Sequence, residues 1–251
     1  MIRQLDWRAF GAMTRLELLL ATRRLENLFV TLALPAVVLI FLAIGPVLPA
    51  DGPEGRVGIA VAVVLTVALM ATGLVSLAIA TAYERGYGVL KRLRGSPLPV
   101  TALLGAKAVA VLVTFAVQIV LVGLLAMVLG WSPRDGPVTA IATAAPWLML
   151  GALCFCALGL LLAGLLRPEA VLAAANGLFV VAVLLGGVVI PVDQLPGPLG
   201  LAVSILPPAL VAELLRDTLG GSTANGLHAA MLSAWTTGLI TAAATTFRTE
   251  P

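Results

Sequence analysis

The sequence predicts an all-α polytopic membrane protein with six transmembrane helices in a single membrane domain over residues 1–251, and two observations carry that prediction. Hydrophobic residues make up 61% of the chain and charged residues 11%, whereas a soluble globular domain carries roughly 25% charged residues. The charges are also segregated: they fall in short segments between apolar runs close to or above the ~20 residues that a helix needs to cross hydrocarbon.

The charge-free runs place the spans in order at Asn27 to Ala50, Val57 to Tyr83, Ala108 to Pro133, Gly136 to Leu166, Ala170 to Val192 and Ala229 to Phe247. An even number of spans puts both termini on one side. Counting Lys and Arg by side, twelve (Arg3, Arg8, Arg15, Arg23, Arg24, Arg85, Lys91, Arg92, Arg94, Lys107, Arg167, Arg248) lie with the termini and three (Arg56, Arg134, Arg216) lie opposite. Both termini are therefore expected in the cytoplasm, because basic residues are retained on that side. The same distribution explains the net charge of +3 without nucleic acid, since the basic residues flank apolar runs and form no groove interleaved with aromatics.

Ahead of the first span, residues 1–26 mix Leu5, Trp7, Phe10, Met13, Leu16 and Leu20 with seven charged residues up to Arg24. Met13, Leu16 and Leu20 share a helical face, which predicts a basic amphipathic helix in the cytoplasmic interface. The first apolar run lacks a small-residue cleavage pattern, so a removable signal peptide is not expected. Gln194 to Ala212 is also free of charge, and a hydropathy window alone would make it a seventh span. Pro196, Pro198, Pro207 and Pro208, with Gly197 and Gly200, interrupt it, and lipid-exposed backbone does not tolerate such breaks. Short broken helices on the outer face, within 193–217, are expected instead.

The chain carries few groups that could do chemistry. No segment matches G-x-x-x-x-G-K-[ST], so ATP, if used, binds to another chain. A single histidine, His228, and the absence of G-x-S-x-G leave no basis for a serine hydrolase, and His228 with Cys154 and Cys156 does not make a closed metal shell. Two positions apart on a helix, the cysteines point about 200° from one another and read as packing residues. No ionisable residue lies inside the six runs, which argues against an ion-coupled carrier. The polar residues there, Thr72, Ser76, Thr81, Thr114, Gln118 and Asn176, suit hydrogen bonding between helices or the lining of a pathway. Small-residue pairs at four-residue spacing, Ala152 with Cys156, Gly159 with Ala163 and Ala173 with Gly177, allow close helix approach.

The most informative segment is YERGYGVLKRLRGSPLP, Tyr83 to Pro99. Val89, Leu90 and Leu93 can form one apolar stripe while Lys91, Arg92 and Arg94 point away, with Pro97 and Pro99 ending the turn. On composition alone, a short helix docking on a protein and a basic patch touching anionic lipid fit equally.

With RLELLLATRRLENLF, GGVVIPVDQLPGPLG and ILPPALVAELLRD, this segment makes the chain resemble the membrane subunits of type-2 ABC exporters, including daunorubicin-resistance-type drug exporters, over nearly its whole length. The resemblance implies that residues 84–99 are the ATPase-coupling region, with Glu84, Arg85, Gly86, Leu90, Lys91, Arg92, Leu93, Arg94, Pro97 and Pro99 matching the family's pattern. It further implies that the segment holding Pro191, Pro196, Pro207 and Pro208 dips back toward the membrane as an outer re-entrant cap. As partners it implies two copies of an ATP-binding subunit, which hold ATP and Mg, together with a second permease copy or a paralogue and the membrane lipids. The cargo would be an amphipathic drug-like or lipid-like molecule moved outward. The alternative is a stand-alone secondary carrier or channel. Arginine exceeds lysine thirteen to two, which suits a GC-rich bacterial genome and hence a bacterial cytoplasmic (inner) membrane.

Overall fold

Proline and glycine punctuate the chain into rods. In the computed structural model, which describes residues 7–23, 25–45, 48, 53–88, 100–133 and 135–247, all regular structure is helical. In chain order the helices are α1 (Trp7–Arg23), α2 (Leu25–Ile44), α3 (Pro53–Leu69), α4 (Leu77–Gly86), α5 (Val100–Val128), α6 (Pro137–Leu165), α7 (Pro168–Leu185), α8 (Gly197–Ser204), α9 (Pro207–Leu219) and α10 (Gly226–Thr246). A π-helical segment, Met70–Ser76, joins α3 to α4, and a 3-10 turn, Val192–Gln194, precedes α8. Pro137, Pro168 and Pro207 open their helices at the first turn, where the missing N–H has no partner to lose. Asn225 caps α10 by accepting a hydrogen bond from the Leu227 amide at 3.0 Å.

Among the described residues, four helical rods are long and apolar enough to cross a membrane: Gly55–Gly86, Ala102–Val128, Pro137–Leu165 and Pro168–Leu185. A fifth is added if α8 and α9, which meet at a bend of 85°, count as one span. The chain is thus a multi-pass membrane protein, with four to five such spans among its described residues. Of the remaining two runs expected from the sequence, α2 contributes a shorter apolar helix, Thr31–Ile44. The other, α10, has 21 residues and is diluted by threonines. Boundaries also differ in detail. The helix of the third predicted span, α5, starts well before Ala108 and takes in Lys107, which Glu17 and Glu84 neutralise there, and α7 stops at Leu185, ahead of the predicted Val192, where Gly186 and Gly187 (φ +71°) turn the chain.

Two rods form the centre. Of the most apolar stretch of Gly55–Gly86, 78% is buried, against 17% for Pro168–Leu185. The α3–π–α4 rod packs along α6, which also holds α9 and α10. Phe155 of α6 is fully buried in one core cluster with Leu65, Leu69 and Met70 of the central rod and Leu210, Leu214 and Leu215 of α9. Lipid tails are as apolar as leucine, so burial alone does not drive such contacts; close packing does. Gly159 shows this: a Cβ there would lie 2.6 Å from the Gly73 carbonyl oxygen and 2.9 Å from that of Leu74, so the π segment rests directly on the α6 backbone. Cys156 sits at the same crossing, and both cysteines are buried free thiols. The predicted pair Ala173 and Gly177 behaves differently, for it lies exposed on α7 and no atom approaches the Gly177 position within 4 Å.

Candidate functional site

The predicted coupling segment enters the structure at the end of α4, and each of its first three residues engages a different element. Glu84 lies 2.5 Å from Nζ of Lys107 on α5, and the same ammonium lies 2.7 Å from Glu17 on α1. Lys107 is buried and the two carboxylates are only partly exposed, so these pairs are far less screened than surface ion pairs. Arg85 turns the other way. Its guanidinium donates to the carbonyl of Gly164 at 2.7 Å and to that of Leu166, the last groups of α6, which have no partner within their own helix. Gly86 abuts the turn into α7, where a Cβ would come within 2.9 Å of Pro168. One end of the bundle is thereby tied together from α1, α4, α5, α6 and α7. Phe247, just past α10, packs into the same end against Leu104, Ala163 and Leu103 clusters. The remaining predicted coupling residues, Leu90, Lys91, Arg92, Leu93, Arg94, Pro97 and Pro99, lie outside the described residues. They fall between Gly88 and Val100, which the fixed ends of α4 and α5 bracket.

The proline-rich segment follows α7 at the opposite end of the bundle and reaches back to its middle. Pro196 precedes α8, Pro207 and Pro208 open α9, and Pro191 precedes the 3-10 turn, so all four lie at element starts. The break between α8 and α9 sits at mid-height of the bundle, since the Trp235 indole N–H in the middle of α10 donates to the Ile205 carbonyl at 2.8 Å. From there α9 passes Gly151, in the middle of α6, with Val211 at its surface, and ends beside Gly58 and Trp131. Arg216 pins this arrangement by pairing with Glu213 at 2.7 Å and donating to the carbonyls of Gly187 and Val188.

The polar residues predicted inside the spans behave unequally. Thr72 and Thr114 return their hydroxyl protons to carbonyls four residues back, at 2.7 and 3.0 Å, and Asn176 does the same with its amide at 2.8 Å. Thr81 is buried without a hydrogen-bond partner. Gln118 alone among them bridges helices, donating from Nε2 to the Thr31 carbonyl on α2 at 2.8 Å. The reason is four residues along: Pro35 has no N–H to offer Thr31, and a neighbouring helix replaces it.

The family model of ABC-2 type transporters matches residues 8–219, from the start of α1 to the end of α9. The chain belongs to the ABC-2 type transporter membrane family. No curated protein and no solved structure shows significant similarity to it. ABC-2 membrane proteins are the permease subunits of ABC transporters; they transport without being catalytic themselves and work with an ATP-binding subunit. Within the ABC-2 match lie the Glu17–Lys107–Glu84 cluster, the Arg85 cap and the bent α8–α9 pair. Sequence reading assigned Lys107 to the basic loop and missed Glu17 as its partner; a lysine abutting an apolar run was the available signal.

Proposed function

We propose that the chain is the permease of an ATP-driven exporter in a bacterial cytoplasmic membrane, moving an amphipathic drug-like or lipid-like molecule outward. ATP and Mg are held by two copies of a separate subunit, and a second permease copy or a paralogue completes the assembly. The observation that carries this reading is the family match over 8–219 together with the tethering of Glu84, Arg85 and Gly86, at the end of α4, to four other helices. A push on residues 89–99 by the ATPase would act on α4 and α5, and through Arg85 and Lys107 on α6 and α1. Lys91, Arg92 and Arg94 supply the charge for that contact, Leu90 and Leu93 its apolar side, and Pro97 and Pro99 its stop.

In this reading six helices span the membrane. α2 is the first, and α10 is the last because its threonines satisfy their hydroxyls internally: Thr237, Thr241 and Thr245 each donate to the carbonyl four residues back at 2.8–2.9 Å, which lowers the cost of placing them in lipid. α1 lies in the cytoplasmic interface, presenting Phe10 and Met13 to α5 while Trp7, Leu16, Leu19 and Leu20 stay uncovered. The α8–α9 pair is the outer re-entrant segment, with Pro191, Pro196, Pro207 and Pro208 at its breaks. Both termini are cytoplasmic.

The test is affinity purification of the tagged permease in mild detergent, with identification of co-purifying chains and an ATPase assay. Recovery of a nucleotide-binding partner with ATPase activity is expected, and Arg92→Glu with Arg94→Glu should abolish that recovery while leaving membrane insertion intact. Unchanged partner binding and export in the double variant would remove the coupling role.

A further inference from the structure

Gly130, with φ +92°, turns the chain back over the last turn of α5. The Trp131 amide donates to the Ala126 carbonyl at 2.9 Å and the Gly130 amide to that of Met127 at 3.1 Å, the paired bonds of a Schellman turn. The turn carries the Trp131 ring into the bundle, where the residue is 5% exposed. A buried indole N–H ordinarily finds a partner, as that of Trp235 does at Ile205. Among the described residues the Trp131 N–H has none, and unlike Nε of Arg216 it is not sealed in by protein.

Beside it lies a pocket of about 210 Å³ between the start of α3, the turn after α5 and the end of α9. The pocket reaches the indole because residue 58 is glycine: a Cβ there would already lie 3.7 Å from Trp131 Nε1, and a longer side chain would cover that atom. Nε1 thus faces the side of α3 that Gly58 leaves bare, and both residues line the pocket. Ser132, exposed, adds a hydroxyl and Leu219 an apolar wall. Arg216 is the one charged side chain among the described lining residues, and no carboxylate stands with it there. Trp131 and Arg216 can only donate, and Ser132 can donate as well.

We infer that this pocket binds a phosphate group, one oxygen of which accepts from Trp131 Nε1 while Arg216 supplies positive charge. Arg216 acts through its field, since its Nε is sealed in and its other nitrogens already serve Glu213, Gly187 and Val188. A water occupies about 30 Å³, so a pocket of 210 Å³ is too large for one trapped water to fill. It lies at the ends of α3 and α5 that are remote from Glu84 and Lys107, where apolar helices give way to the headgroup level at which Trp and Arg collect. The phosphate can belong to a phospholipid headgroup or be free in solution. Under the permease topology, on which its assignment to the outer leaflet rests, the bound group joins the outer ends of α3, α5 and α9.

The test follows the indole N–H signals of the full-length protein, carrying isotope-labelled tryptophan, in dodecyl maltoside micelles, which contain no phosphate. Trp131→Phe identifies the Trp131 signal by its loss. Dihexanoylphosphatidylcholine should move that signal downfield to saturation, and dihexanoylglycerol, which lacks the phosphate, should not. An equal shift with inorganic phosphate would support the site and make the free anion sufficient, whereas a shift with the phospholipid alone would assign it to the headgroup. Gly58→Leu, which covers Nε1, should abolish the shift. No movement of the Trp131 signal with either phosphate compound would overturn the proposal, as would an equal shift with dihexanoylglycerol or a shift that persists in Gly58→Leu. Because binding is read without ATP or a partner, its failure would leave the exporter reading standing, and loss of the ATPase partner would leave a positive binding result standing.

Discussion

Lys107 neutralises two carboxylates from helices that the chain brings together across 90 residues. Replacing it by Met would leave Glu17 and Glu84 facing each other without a cation. Breaking a buried pair costs about 3–5 kcal/mol, and the partial exposure of both carboxylates places this case at the low end, about 3 kcal/mol. Thermal unfolding in detergent should show that loss for Lys107→Met and a smaller one for Glu84→Gln, which keeps the bond to Glu17. The Thr31–Gln118 bond allows a sharper test. Gln118→Leu strands the Thr31 carbonyl and should cost about 1–3 kcal/mol. In a Pro35→Ala background, where the backbone supplies its own N–H, the same change should cost clearly less, giving a coupling measurable by a double-mutant cycle. Of these residues, Glu84, Arg85 and Gly86 were legible as a motif, but their partners were not. Charge and motif are local properties of the chain, and the neighbours of a side chain are not.

At the level of helices, the central rod and α6 meet through backbone more than through side chains. Gly159→Ala would drive a methyl into the carbonyls of Gly73 and Leu74, at 2.6 and 2.9 Å, and backbone on both sides leaves little room to relax. A loss of about 1–3 kcal/mol is expected, the range for overpacking. Gly177→Ala, on the exposed side of α7 with nothing within 4 Å, should instead be neutral or stabilise by up to about 1 kcal/mol through helix propensity. Parallel melting curves of the two variants separate the contact from the propensity. The sequence presented both positions as equivalent members of small-residue pairs. Rotation of each helix about its axis made one a contact and left the other uncovered, and a four-residue spacing carries no information on that rotation.

For the whole molecule, the uneven burial of the rods matters most. The α3–π–α4 rod and α6 are sheathed, whereas α5 and α7 are largely uncovered, at 28% and 17% buried over their apolar stretches. The proposed assembly of two permeases with two ATPases predicts a complex whose native mass accounts for both pairs. A mass corresponding to one permease with one ATPase would contradict it. Composition and charge segregation were sufficient to establish a multi-pass helical membrane protein and the approximate position of each apolar helix, because transfer into hydrocarbon is close to a sum over the residues of one segment. Tertiary structure alone decided that Lys107 meets Glu17 and Glu84, that Gln118 replaces the N–H lacking at Pro35, and that α9 turns back along the middle of α6. Between helices surrounded by lipid, hydropathy is nearly the same for every apolar face, so the choice among faces falls to close packing and to the few polar groups that must find partners.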